Sequence, residues 1–235
     1  MTRIQRRLPP LPVVFLLAAL TASPASADTG IGLHVVPRTG TTCTPTIDPY
    51  RLRTDMPTLS APTGPFYDVY VVGCLRVGLG PNAPPAGIGG LEFGINYPGG
   101  YAPGGGLSPI SVFDWTNCGD LQFPSSNWPA PGSGNLVTWQ QARCATPLIV
   151  LNNSIAVAGY FYLGAYGPGR ISLTVRPASG HAKIANCPGT EYDLTPNASF
   201  LGSVGFGGLQ GGNGCLFPDP VTSSTWSGIK GGYGR

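Results

Sequence analysis

An all-β sandwich is the fold class this sequence predicts, on three observations. Apolar residues recur with period two over several segments, Gly/Pro clusters separate those segments, and almost none of the chain carries a helical period. Arg170-Ile-Ser-Leu-Thr-Val-Arg176 is the cleanest case: Ile171, Leu173 and Val175 share one face, while Arg170, Ser172, Thr174 and Arg176 share the other. Leu91, Phe93, Ile95 and Tyr97 alternate in the same way with Gly90, Glu92, Gly94 and Asn96. The 36 Gly and 26 Pro would mark disorder in a polar chain, but 42% hydrophobic and 10% aromatic content marks a folded, turn-rich β protein.

In chain order, residues 1–27 read as an export leader. Arg3, Arg6 and Arg7 precede the apolar run Leu11 to Leu20, and Ala25-Ser-Ala27 offers a small-x-small cleavage site before Asp28. The expected location is therefore secreted or periplasmic. Residues 28–65 hold one edge strand, Ile31 to Val36, and a long approach loop tethered by Cys43. Residues 66–216 form the β-sandwich domain. Besides the two strands above, Tyr67 to Arg76, Ser108 to Trp115, Asn135 to Trp139, Ile155 to Ala165 and Phe200 to Phe206 are rich in Val, Ile, Tyr, Phe and Trp. Breakers at Pro81 to Pro85, Pro98 to Gly106, Pro124 to Gly134 and Gly167-Pro-Gly169 divide them. Residues 217–235 form a tail in which Ser224 to Lys230 has room for a helical turn that the following glycines fray.

All six cysteines, Cys43, Cys74, Cys118, Cys144, Cys187 and Cys215, follow the leader, so they meet an oxidising compartment. No C-x-x-C occurs, which removes the redox motif and the common zinc spacings. Intervals alternating short and long favour sequence neighbours as partners among the many pairings six cysteines allow: Cys43 with Cys74, Cys118 with Cys144, and Cys187 with Cys215. Each such loop, of about 25 to 30 residues, stabilises the fold by roughly 3 kcal/mol.

Three of the thirteen basic residues belong to the leader, so the remainder balances its ten acids. A neutral chain with scattered charges offers no basic stripe for nucleic acid and no polybasic cluster for anionic lipid. No later segment is long and apolar enough for membrane insertion of the mature chain.

Residues able to carry chemistry are few. A nucleophile needs a base, and His34 in the first strand and His181 in a Gly-flanked turn have no helpful local context. G-x-S-x-G, G-x-G-x-x-G and the Walker loop are not completed, so no cofactor is expected. No calcium loop motif occurs either, and no metal site is expected. A polysaccharide hydrolase would need two carboxylates facing a groove, for which Asp114 and Asp120 are the candidates, set among Phe113, Trp115 and Phe123. Their ordinary role is to bond turn amides around Cys118. Among the aromatics, Tyr101 and Trp128 stand in Gly/Pro loops among residues too small to bury them, and are the expected exposed binding residues for a protein or glycan partner. Phe93, Ile95, Phe161, Ile171 and Leu173 are expected in the core.

Gly87-Ile-Gly-Gly-Leu-Glu-Phe-Gly-Ile-Asn-Tyr97 resembles the strand of cohesin-like modules in which a glycine-containing entry leads into an alternating apolar strand ending at Tyr. Ile155-Ala-Val-Ala-Gly-Tyr-Phe-Tyr-Leu163 followed by Arg170 to Val175 resembles the paired late strands of the same immunoglobulin-like sandwich. The likeness covers residues 67 to 177 and implies an immunoglobulin-like (cohesin-like) sandwich; the six cysteines and Pro98-Gly99 after the tyrosine depart from it. Phe113-Asp-Trp115, Cys118 to Pro124 and Ser224 to Lys230 are similar to segments of exported bacterial proteins, which implies a fold and a compartment but no activity. The sequence thus favours an exported, non-catalytic binding or scaffolding module, with the Asp114/Asp120 hydrolase as the alternative.

Overall fold

The computed structural model describes residues 29–40, 43, 58–76, 87–101, 108–140, 144 and 153–215. The leader, the Pro81 to Pro85 breaker, most of the 98–106 loop and the 217–235 tail lie outside the described residues. Two sheets make up the architecture. The five-stranded sheet runs β1 (Gly30–Pro37), β3 (Gly64–Arg76), β9 (Asn153–Ala165), β6 (Ile110–Asn117), β5 (Gly99–Tyr101). In the eight-stranded sheet, the main path is β12 (Glu191–Asp193), β11 (Lys183–Asn186), β4 (Ile88–Asn96), β10 (Gly169–Thr174), β13 (Ser203–Phe206), β2 (Ser60–Ala61), with β8 (Ser133–Thr138) added to β4 and β7 (Leu121–Gln122) to β8. No helix among the described residues is long and apolar enough to cross a membrane.

Each sheet is organised by one strand whose alternation the sequence displays. In β3, Tyr67, Val69, Val71 and Leu75 enter the main core, while Asp68, Tyr70, Val72 and Cys74 turn to the opposite face. β9 pairs antiparallel with it from Gly64 opposite Ala165 to Arg76 opposite Asn153, with a bulge where Val71 faces Gly159 and Val72 faces Val157. In β4, Leu91, Phe93, Ile95 and the following Tyr97 all go inward, as their period predicts. β8 lies along one edge of β4, and its other edge is shared, Ile88 to Glu92 by β11 and Gly94 to Asn96 by β10. Gly73 lets the sheets close up here: a Cβ on it would stand 2.6 Å from Leu91 Cδ2.

The expected core residues Phe93, Ile95, Phe161, Ile171 and Leu173 are buried. The seven long strand segments of the sequence all occur, whereas β2, β5, β7, β11 and β12, of two to four residues each, carry too little pattern to be read. β1 is an edge strand, as expected, pairing with β3 from Gly30 opposite Cys74 to Pro37 opposite Tyr67. Its other side is partly capped by a bridge from Ile31 to Leu201 and by Val35 N donating to Thr58 O at 3.1 Å.

All six cysteines are in bridges, but the neighbour-to-neighbour pairing expected from their spacing is wrong. The bridges are Cys43–Cys118, Cys74–Cys215 and Cys144–Cys187. Spatial strand order, not chain order, decides them. Cys74 sits at the end of β3 beside Gly30 of β1, and the chain after β13 returns Cys215 onto that face, its Sγ 3.6 Å from Val72 O. Cys118 follows β6, whose end is pinned to β9 by Cys118 N donating to Ala158 O. Cys187 follows β11, its N–H held by Gly87 O beside the start of β4. The enclosed separations, 43, 75 and 141 residues, exceed the loops expected from sequence, and in the chain-entropy account they are worth about 4 to 5 kcal/mol each.

Peptide mapping without reduction should therefore recover these three linkages and no free thiol. On stepwise reduction the bridge of exposed Cys43 should open first and buried Cys74–Cys215 last; first loss of Cys74–Cys215 would contradict the burial seen here.

Candidate functional site

The outward face of the five-stranded sheet carries a row of aromatic rings on β3, β9 and β6. Pairing sets Pro37 opposite Tyr67, Tyr67 opposite Leu163, Leu163 opposite Val112 and Val112 beside Tyr101. Arg38, Phe66, Tyr162 and Phe113 each lie one residue from this line, whose Tyr67, Leu163 and Val112 are core residues, and so on the outward face, whereas Tyr101 shares the inward face of its partner Val112. Phe66 and Tyr162 are stacked with centroids 6.0 Å apart, and Phe113 meets Tyr162 at 5.0 Å. The Arg38 guanidinium carbon lies 3.9 Å from the Tyr162 ring centroid, a cation–π contact, while its Nη1 donates to Asp68 Oδ1 at 3.0 Å.

Local irregularities produce the row. Between Gly64 and Tyr67 the β3–β9 register slips, and Phe66 takes φ of +69° there, a left-handed conformation costing about 1 to 2 kcal/mol for a residue with a Cβ. The ring it presents is 51% exposed, so its own burial does little to repay that strain. In β6 the register slips between Val112 and Asp114, leaving Phe113 as an extra residue against Tyr162. Tyr166, just past β9, lays its ring over Gly164: a Cβ there would stand 2.9 to 3.0 Å from ring carbons and the hydroxyl. Its other side remains open, with Tyr166 42% and Tyr101 43% exposed.

Asp68 is the buried charge of this face, its side chain only 1% exposed. Burial pushes its carboxyl above the ordinary range, and Arg38 opposes that shift. Its Oδ2 is buried with no hydrogen-bond partner. Asp114 is exposed, pairs with Tyr162 in register, and accepts from Trp115 N at 2.9 Å through Oδ1.

Of the expected binding residues, Tyr101 is exposed as anticipated, on the edge strand β5 beside Val112. Trp128 is a correction: it is half-buried, with Trp115, Phe161 and Phe93 rings 5.2, 5.5 and 5.8 Å from its own. Its loop is folded rather than open. Ser125 N bonds Gly134 O, Trp128 N bonds Ser125 O, Gly132 N bonds Ile95 O, and Tyr97 Oη donates to Pro129 O at 2.9 Å. The loop thereby inserts Trp128 between the sheets as a plug. Burial, and secondarily the Tyr101 phenol, push the Tyr97 phenol upward.

The hydrolase pair is not brought into the row together. Asp114 lies on the five-stranded sheet, whereas Asp120 precedes β7, its N–H on Thr138 O and its Oδ2 accepting from Gln140 N at 2.8 Å. Glu92 is held by Arg176 at 3.1 Å and Ser179 at 2.7 Å. His181 Nδ1 lies 3.3 Å from Asp193 Oδ2 and 3.5 Å from Thr195 Oγ1. Both contacts fall on one ring nitrogen, whereas a triad uses one for the acid and the other for the nucleophile. His34 Nδ1 accepts from Thr58 N at 3.0 Å, and burial lowers its pKa. No group of three or more His, Cys, Asp or Glu suited to a metal occurs among the described residues. Sequence reasoning missed Phe66, Phe113 and Tyr162; two of them depend on bulges, though the spacing of Gly164 and Tyr166 was visible.

No protein-family model and no curated protein matches this sequence. Among solved structures the chain is similar to a cohesin module from a Clostridium perfringens ATCC13124 family 33 glycoside hydrolase, at 12% identity and a TM-score of 0.37, over 76% of this chain and 97% of that one. The neighbour belongs to the family that the Gly87 to Tyr97 and Ile155 to Val175 strands resemble. At that degree of superposition the likeness carries no argument of its own, and the class rests on the sheets and bridges: an all-β sandwich cross-linked by three disulfides.

Trp128→Ala should lower stability by about 3 kcal/mol in denaturant unfolding, against less than about 0.5 kcal/mol for Tyr101→Ala; equal effects would refute the plug. His34 gives a pH signature. Its pKa is about 6.5 unfolded and lower when folded, so its contribution is complete above about pH 6.5 and is lost as pH falls and the unfolded chain takes up the proton first. His34→Asn, which keeps an acceptor for Thr58 N, should flatten the stability profile as pH falls below about 6.5. An unchanged slope would remove His34 as its source.

Proposed function

We propose that the protein is an exported, non-catalytic binding module that holds a partner outside the cytoplasm through the aromatic row. The carrying observation is Phe66: a strained backbone presents a half-exposed phenylalanine beside Tyr162, an arrangement that costs stability and gives little packing in return. Export is supported by the leader-like residues 1–27 and by three disulfides, which persist in oxidising compartments. A binding role is supported by exposed rings clustered on a rigid, cross-linked sheet, since aromatic and arginine side chains dominate recognition surfaces.

The test is retention of the purified protein on extracellular and envelope material of its own source. A double Phe66→Gly, Tyr166→Ala variant should fall at least tenfold in retained fraction while its thermal midpoint stays within a few degrees. Equal retention of parent and variant would overturn the reading. Release of sugar by the parent, abolished in Asp114→Asn with folding intact, would replace it with the hydrolase.

A further inference from the structure

We infer that the row takes a neutral, linear polysaccharide laid across the strands of the five-stranded sheet. This rests on the binding-module reading above and assigns its ligand class. The first support is shape. From β1 to β6 the row crosses three strand spacings of about 4.8 Å, so it extends roughly 14 Å, enough for two or three sugar rings in line. Its rings stand open rather than walled: Phe66 and Tyr166 are 51% and 42% exposed. A small compact ligand requires a concave site that covers most of its surface, whereas a polymer chain gains contact by length.

The second support is how the rings are presented. Gly164 removes the Cβ that would hold Tyr166 off the sheet, so this ring lies on the backbone with its far side free. A tyrosine held this way offers a platform rather than a knob, and a pyranose presents a matching flat face of C–H bonds. Protein hot spots favour the opposite geometry, an anchor buried in a desolvated pocket and shielded by a rim.

Charge gives the third support. Arg38 is neutralised by Asp68 at 3.0 Å, which leaves Asp114 as the uncompensated charge of the row. A polyuronate, nucleic acid or phosphorylated polymer would be repelled by that carboxylate. Neutral sugar hydroxyls instead donate to it, and accept from the Arg38 guanidinium and the tyrosine phenols.

The experiment is affinity electrophoresis of the purified protein in gels containing hydroxyethyl cellulose, xylan or glucomannan, with polygalacturonate as the acidic comparator and insoluble cellulose and chitin assayed by sedimentation. Binding to at least one neutral polymer is expected, with none to polygalacturonate. Tyr166→Ala and Phe66→Gly should each weaken it tenfold or more, and Asp114→Asn should weaken it without creating affinity for the acidic polymer. Phe66→Gly relieves the left-handed backbone, so retained thermal stability would show that its loss of binding is not unfolding. If no neutral polymer binds while the same variants abolish a protease-sensitive retention on source material, the glycan assignment falls and the binding-module reading stands with a protein partner. If a polymer binds parent and row variants equally, the row is not the site and both readings of it fall. Preference for polygalacturonate would overturn the charge argument and the ligand class with it.

Discussion

The five-stranded sheet and its outward face are registered against the pairing of β3 with β9. Those two thirteen-residue strands form the middle of the five-stranded sheet, and their inward residues, from Tyr67 to Leu75 and from Ala156 to Ala165, supply much of the main core. Because alternation has a period of two, fixing the inward set also fixes what the other face displays. Asp68, Tyr70, Val72 and Cys74 on β3, and Tyr160 and Tyr162 on β9, are turned outward by the same constraint that buries Val69, Val71 and Phe161. A one-residue slip would exchange the two sets and remove both the row and the Cys74–Cys215 bridge.

Deviations from that pairing make the surface. The slips before Tyr67 and between Val112 and Asp114 each add residues to one strand without a counterpart on its neighbour, and each delivers a phenylalanine to Tyr162. The strain at Phe66 is small beside a fold with three bridges closing separations of up to 141 residues. Such a frame tolerates local cost without global loss, and exposed rings need a rigid support to hold their spacing.

The ends of the sandwich are treated differently from its faces. Two sheets packed face to face leave an open end where side chains of both meet water, and the 124–134 loop closes one by inserting Trp128 among Phe93, Trp115 and Phe161. Its ring nitrogen is left buried without a partner, a local expense of placing an indole there. Tyr101, by contrast, ends the edge strand β5 and stays 43% exposed.

What the sequence determined by itself was whatever depends on local period and chemistry: the all-β class, the seven longer strand segments, the inward faces of β4 and β10, and an oxidising compartment for six cysteines. Hydrophobic alternation is a short-range signal, and it survives without knowledge of neighbours. The tertiary structure alone decided what depends on which strands become neighbours. The disulfide partners follow which segments the sheets bring together, Cys215 returning to the Cys74 end of β3, rather than the order of the cysteines in the chain. Trp128 looked exposed because its sequence neighbours are small, and is half-buried because a distant strand places Phe161 beneath it. Phe66, Phe113 and Tyr162 are far apart in the chain and become one surface only through bulged registers, for which the residues themselves carry no period to read.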